Sequence, residues 1–223
     1  MHAVQYLKNN YNFVKNMKNN CSVIILAAGN SSRMGKPKFL LEMPNGETFL
    51  EAITKQYYDF GCANIIIVLN EYGNKLLTDH PPHLPSNTQV TINYNHNSGR
   101  FSSIKTGLKL IDTNHTFIHN IDNPSAKAKV LDSLYSEKQQ AEVIKPIMNN
   151  RGGHPVLISK RVCEDILLEK KNEVNFNNFL KRYSFKEVDV DDDSIFVNIN
   201  TNEELVEFRN NPNLEPHKEY KRI

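Results

Sequence analysis

The sequence has no apolar run near the roughly 18 residues that a helix needs to cross a bilayer. Neither charge sign dominates: 27 Lys and Arg against 25 Asp and Glu leave a formal net charge of +2. That balance gives no electrostatic footprint for nucleic acid or for an anionic membrane surface. Cysteine is scarce, and Cys21, Cys62 and Cys163 are odd in number and widely spaced. No pair has the spacing of a zinc knuckle or a redox motif, so they read as reduced thiols of a cytoplasmic protein. An internal repeat and a domain linker are absent as well. The first twenty residues carry Lys and Asn throughout and have no apolar centre, unlike a secretory signal. Residues 1–20 are therefore expected to form a peripheral extension, with Tyr6, Tyr11, Phe13, Val14 and Met17 on a weakly amphipathic helix.

What is present is enough for one sizeable core: 223 residues, 39% of them hydrophobic. Residues 21–223 are expected to be a single α/β domain. Ser22 to Leu26 and Asn64 to Leu69 are continuous apolar runs, which suggests strands covered on both faces of a parallel sheet. Between them, Thr48 to Phe60 has helical spacing and Gly61 supplies a left-handed stop. The alternation continues with a short helix at Gly73 to Leu77 and a strand at Gln89 to Tyr94, with Val90, Ile92 and Tyr94 sharing one face. A helix from Ser102 to Ile111 and a strand from Thr116 to Ile121, which delivers Asp122 at its carboxyl end, follow. Farther on, helices are expected at Ala126 to Tyr135, Lys160 to Glu169, Asn175 to Arg182 and Thr201 to Phe208, the last with a Thr201/Glu204 capping box. Strands are expected at Glu142 to Met148, Pro155 to Ile158, Lys186 to Val190 and Ile195 to Ile199. Strands alternating with helices imply a three-layer α/β fold with a mostly parallel central sheet. Ligands of such sheets gather at the carboxyl ends of the strands, which puts the Gly29 loop and Asp122 on one edge.

The segment after the first strand, Leu26-Ala27-Ala28-Gly29-Asn30-Ser31-Ser32-Arg33-Met34-Gly35-Lys36-Pro37-Lys38, holds two glycines beside several cations and hydroxyls. Glycine lets backbone amides approach an anion, and the cations neutralise it. The segment is not a Walker loop, because five residues separate Gly29 from Gly35 and Pro37 follows Lys36. Ser31 stands where the dinucleotide fingerprint needs its second glycine, so that motif fails too.

Leu26-Ala-Ala-Gly29, Arg33-Met-Gly35 and Pro37-Lys38, in that order, resemble the signature of the molybdopterin-type (MobA-like) nucleotidyltransferases, most closely the molybdenum cofactor cytidylyltransferase branch. Further stretches resemble the same family: Asn95 to Leu108, Asp122-Asn-Pro124, Gly153-His-Pro155 and Phe196 to Leu205. The resemblance implies a Rossmann-like nucleotidyltransferase fold of the GT-A type. It implies nucleotide binding by Leu26, Ala27, Ala28, Gly29, Asn30, Ser31, Ser32, Arg33, Lys38, Gly99 and Ser103, with Arg33, Lys38 and Asp122 catalytic. Asp122 would bind Mg²⁺, with Mn²⁺ as the alternative ion, and His154 with Gly153 would border the acceptor. An ordinary structural histidine is the alternative reading of His154. In related enzymes an aspartate at the position of Asn198 is a second metal ligand; here Asn198, and two residues on Asn200, offer oxygen without charge. The acidic run Asp189, Asp191, Asp192 and Asp193 reads as a solvated turn.

The activity so implied is transfer of a nucleotidyl group from an NTP to a phosphorylated acceptor such as molybdopterin, with release of pyrophosphate. CTP is expected over GTP, because the methyl group of Ala28 narrows the space beside the base. Nucleic acid and membrane are not expected partners, whereas a molybdoenzyme client is. Two other readings stay open: a sugar- or polyol-phosphate nucleotidyltransferase, and a catalytically impaired nucleotide- or cofactor-binding chaperone.

Overall fold

The continuous apolar runs become strands with no exposed face. The computed structural model describes residues 20–31, 34–125 and 127–210. β1 (Cys21–Leu26) is buried at every position, and β2 (Asn64–Leu69) at every position but its first. β3 (Thr88–Ile92), β4 (His115–Asn120), β5 (Val143–Met148), β6 (Arg151–Gly152), β7 (Val156–Ser159) and β8 (Phe185–Asp189) complete one sheet, in the order β3-β2-β1-β4-β7-β5-β6 with β8 beside β5. The first four strands run parallel, as do β5 and β8. β7 lies antiparallel between β4 and β5, and β6 antiparallel to β5. The expected mostly parallel sheet is thus present, with its antiparallel part confined to one side.

Successive residues of a strand face opposite ways, so β1 and β2 feed two cores. Val23, Ile25, Ile65 and Ile67 pack under α1 (Phe49–Phe60), α4 (Ala128–Ser136) and α7 (Asn202–Asn210). Ile24, Leu26, Ile66 and Val68 pack under α3 (Arg100–Leu108), α5 (Lys160–Leu168) and α6 (Phe176–Leu180). Each fully buried side chain of this kind is worth about 1.5–3 kcal/mol, and together they make three layers. α3 sits especially close to the sheet, since a Cβ at Gly107 would lie 2.7 Å from Ile24. The three cysteines are free and buried, Cys21 and Cys62 touching at 3.6 Å between sulfurs. Among the described residues no helix is long and apolar enough to cross a membrane. The expected helix within residues 1–20 falls almost wholly outside the described residues.

Local chemistry sets the helix ends. Thr48 and Glu51 cap α1 reciprocally, and Gly61 ends it at φ 96°. α2 (Glu71–Asp79) begins on the Asn70 side chain, which accepts from the Gly73 amide at 2.7 Å. The Thr201/Glu204 capping box of α7 forms as expected. Three expectations need correction. α3 starts at Arg100, not Ser102, because Gly99 turns the chain at φ 91° and the Ser102 hydroxyl bonds back to the Gly99 and Asn95 carbonyls. β3 is an edge strand that ends at Ile92, and Val90 and Tyr94 are exposed. The expected strand at Ile195 to Ile199 begins instead as a 3₁₀ turn, Asp193–Phe196, because Asp192 accepts from the Ser194 amide at 3.0 Å. Asp192 also pairs with Lys127, so it belongs to this turn.

Candidate active site

β1 has β2 on one side and β4 on the other, and the chain crosses over in opposite directions from it. The connections therefore part at the carboxyl ends of β1 and β4, which opens a crevice there. A cavity of about 480 Å³ fills the crevice. Leu26, Ala27, Ala28, Gly29, Ser31 and Lys38 line it from the first loop. Gly99 and Ser103 reach it from the start of α3, and Asp122 from the end of β4. These nine residues, singled out from the sequence in three separate stretches, share one concave surface. Asn30 lines an adjoining hollow of about 260 Å³ that also meets Ala27, Gly29 and His96. Ser32 and Arg33 lie outside the described residues.

The first loop is held from below. The Ala27 amide donates to the Val68 carbonyl at 2.9 Å, extending the β1–β2 ladder. Asn70 pins the next residue by donating to the Ala28 carbonyl at 3.0 Å. Beyond it the chain loosens: a Cβ at Gly29 would meet nothing within 4 Å, and Ser31 sits at φ 47°. The Ser31 carbonyl and hydroxyl then receive the amides of Met34 at 2.9 Å and Lys38 at 3.3 Å. That fold-back starts the 3₁₀ turn Lys38–Leu40 and aims the Lys38 ammonium into the cavity. There it donates to Asn200 Oδ1 at 2.7 Å and lies 3.4 Å from Asp122 Oδ2.

Asp122 rests on a buried network. His119 Nε2 lies 2.7 Å from the Asn123 carbonyl, which can only accept, so Nε2 carries the proton and Nδ1 accepts from Tyr57 at 3.0 Å. Burial, resisted only in part by the Asn123 hydrogen bond, lowers the His119 pKa to about 4, so the ring is neutral. The Ile199 amide donates to the Asp122 carbonyl at 2.8 Å and ties the closing segment to this turn. Asp122 Oδ1 is buried and has no hydrogen-bond partner. A carboxylate oxygen held in this way suits a hard cation. No group of three or more His, Cys, Asp or Glu side chains placed to hold a metal ion exists among the described residues, so further ligands would be neutral oxygens or those of a substrate. Asn200 lines the cavity; Asn198 is exposed, does not line it, and donates to the Phe196 carbonyl at 3.3 Å.

Buried Asn93 organises the α3 wall by donating to the Ser102 and Ser103 hydroxyls at 2.8 and 2.9 Å. As an acceptor in that bond, Ser103 keeps its own O–H for the cavity. Arg100 also lines this wall, and the sequence reading passed over it. The signal was a cation directly after the turn glycine, ahead of buried Phe101. His154 stands nearby, with Nε2 3.5 Å from the Asn120 amide nitrogen. Burial first, and then the charge of Arg100, bring its pKa down to about 4. Gly153 does not line the cavity; a Cβ there would lie 2.6 Å from Ile195.

Comparison with known proteins gives a family and a fold. The family model described as the MobA-like NTP transferase domain matches residues 23–188. The chain is 28% identical over 183 residues to the molybdenum cofactor cytidylyltransferase of Escherichia coli, covering 82% of this chain and 92% of that protein. It is 26% identical over 199 residues to a probable molybdenum cofactor guanylyltransferase of Bacillus mycoides, covering 84% and 94%. The crystal structure of 4-diphosphocytidyl-2C-methyl-D-erythritol synthase from Anaerococcus prevotii shares the fold, with a TM-score of 0.67 at 15% identity over 85% of this chain and 96% of that one.

Proposed function

The chain belongs to the MobA-like NTP transferase family, and on that premise we propose that it moves CMP from CTP onto the phosphate of a small acceptor, with molybdopterin as the candidate. The observation that carries this reading is the meeting of Lys38, Asp122 and the open Gly29 loop at the switch point of the sheet. In the reaction an acceptor phosphate oxygen attacks the α-phosphorus of CTP. The new P–O bond forms as the bond to the bridging α,β-oxygen breaks, and pyrophosphate leaves with that electron pair. The attacking oxygen carries no proton, so no general base is needed. Placement and charge neutralisation supply most of the rate in such transfers.

Each residue then has a task. The loop from Leu26 to Ser32 seats base and triphosphate, with Ser103 donating from the α3 wall. Lys38 and Arg33 neutralise charge on the phosphates. Asp122, with Asn200 as a neutral oxygen beside it, would hold Mg²⁺ or Mn²⁺, which supplies positive charge to the phosphate oxygens when bound. His154 borders the acceptor side; Gly153 supports it through the close packing on Ile195. CTP is preferred because the Ala28 methyl group, with its carbonyl fixed by Asn70, narrows the base site.

Pyrophosphate release measured with each NTP, with molybdopterin and with simple sugar phosphates, tests the proposal. Turnover with CTP and molybdopterin is expected. Equal or better use of GTP would sink the base assignment, and sugar phosphates as the better acceptors would sink the acceptor assignment. Nucleotide binding without turnover would favour a chaperone.

A further inference from the structure

Arg100 has no task in the reaction as drawn. Its guanidinium lies at the mouth of α3, 4.9 Å above the Phe176 ring, with Nε and Nη2 buried and without hydrogen-bond partners. The residue as a whole is half-buried, but buried donors left unmet are costly unless something satisfies them. Lys38, by contrast, already has Asn200 and Asp122 as partners. His154 Nδ1, close enough to feel the Arg100 charge, is also buried without a partner. The Asn120 amide faces His154 Nε2 at 3.5 Å and favours the proton on Nδ1. Three donor nitrogens, two on the charged guanidinium and one on the neutral ring, thus lack an acceptor, and both side chains feel the charge of Asp122.

We propose that Arg100 reads the acceptor's phosphate monoester, gripping two of its oxygens through Nε and Nη2 while His154 Nδ1 donates to the group. This rests on the nucleotidyl-transfer reading. A nucleotide on the Gly29 loop turns its phosphates toward Lys38, and in-line displacement requires the nucleophile to arrive from the side away from the leaving pyrophosphate. Arg100 and His154 supply donors there, on the α3 and β4 side of Asp122. A planar guanidinium fork matches two phosphate oxygens, which a lysine cannot do. The residue would thus select acceptors that end in a phosphate monoester and reject those that end in a hydroxyl.

The test is binding of inorganic phosphate, followed calorimetrically with the full chain, in the wild type, Arg100→Met, Arg100→Lys and Lys38→Met. Arg100→Met is expected to weaken phosphate binding by at least about tenfold, and Arg100→Lys by less. Lys38→Met should weaken phosphate binding less than Arg100→Met does, since Lys38 faces the nucleotide. In turnover, Arg100→Met should raise the KM of the phosphorylated acceptor and leave the KM of CTP alone. Loss of phosphate binding in Lys38→Met but not in the Arg100 variants would overturn the proposal. So would no phosphate binding by the wild type, or a rise confined to the KM of CTP. If no NTP gives turnover, the transfer reading fails, yet the phosphate titration still decides the role of Arg100. Should Arg100→Met fail to fold, Arg100→Lys carries the test.

Discussion

The Lys38 ammonium donates to the Asn200 side-chain oxygen at 2.7 Å, across 162 positions of sequence. Asp122 shares the same ammonium at 3.4 Å. Asp122→Ala should therefore leave Lys38 positioned by Asn200 and remove only the carboxylate. Turnover is expected to fall at least about 100-fold. The melting temperature should change little, because Oδ1 has no partner to lose and the part-exposed Oδ2–Lys38 pair is long at 3.4 Å. Asn200→Ala should cost about tenfold in kcat/KM, while Asn198→Ala, outside the cavity, stays within about twofold. Pyrophosphate release and thermal melting check all three.

On the proposed reading, Ala28→Gly should widen the base site without moving the loop, since Asn70 holds the Ala28 carbonyl and not its side chain. One methyl group in a specificity site is worth roughly tenfold or more. The ratio of kcat/KM for CTP to that for GTP is expected to fall by about that factor. An unchanged ratio would show that the base is read elsewhere.

His119 gives the fold a defined acid sensitivity. Above about pH 6.5, the value in the unfolded chain, neither state binds a proton at this ring. As the pH falls from there toward about 4, the folded-state value, the unfolded chain takes up a proton that the native state refuses. Stability therefore declines through this window, by up to roughly 3 kcal/mol, and levels off below it. His119→Gln should reduce the decline between pH 7 and pH 5 by about half in denaturant titrations, the rest coming from His154, whose pKa is lowered to about 4 as well. The same slope in the variant would remove His119 as its source.

Gly153→Ala should destabilise by about 1–3 kcal/mol through overpacking against Ile195. For a chain of this size each kcal/mol lowers the melting point by about 2–4 °C. Adding Ile195→Ala should not restore the loss, because the Ile195 Cβ, 2.6 Å from the added methyl, is retained and the truncated side chain leaves a cavity.

β1, β2 and the first loop were legible because their signals are local: an unbroken apolar run, small residues at its end, then glycines and cations. The rule that ligands sit at strand ends then placed Asp122 opposite that loop, which the cavity reproduces. Arg100 carried no local signal beyond a cation after a turn glycine, and only tertiary structure shows that its Nε and Nη2 are buried without hydrogen-bond partners. The expected strand around Asn198 failed because a two-residue side-chain bond from Asp192 outweighs the β-branched pattern that follows it. That local turn is also where the extended reading of Asn198 as a ligand parted from the geometry, in which Asn200 faces the cavity. Asn70, Asn93 and His119 carry no local signal, since their partners come from other elements.

The Ile199–Asp122 hydrogen bond has a consequence in time as well as in space. A ribosome makes the nucleotide loop, the α3 wall and the Asp122 turn well before it reaches Asn200. Until the closing segment emerges and docks, Lys38 lacks its nearest partner and the cavity lacks one wall. On the proposed reading, the site is therefore completed only by one of the last segments to be made, and a chain that ends before Asn200 lacks the partner that positions Lys38.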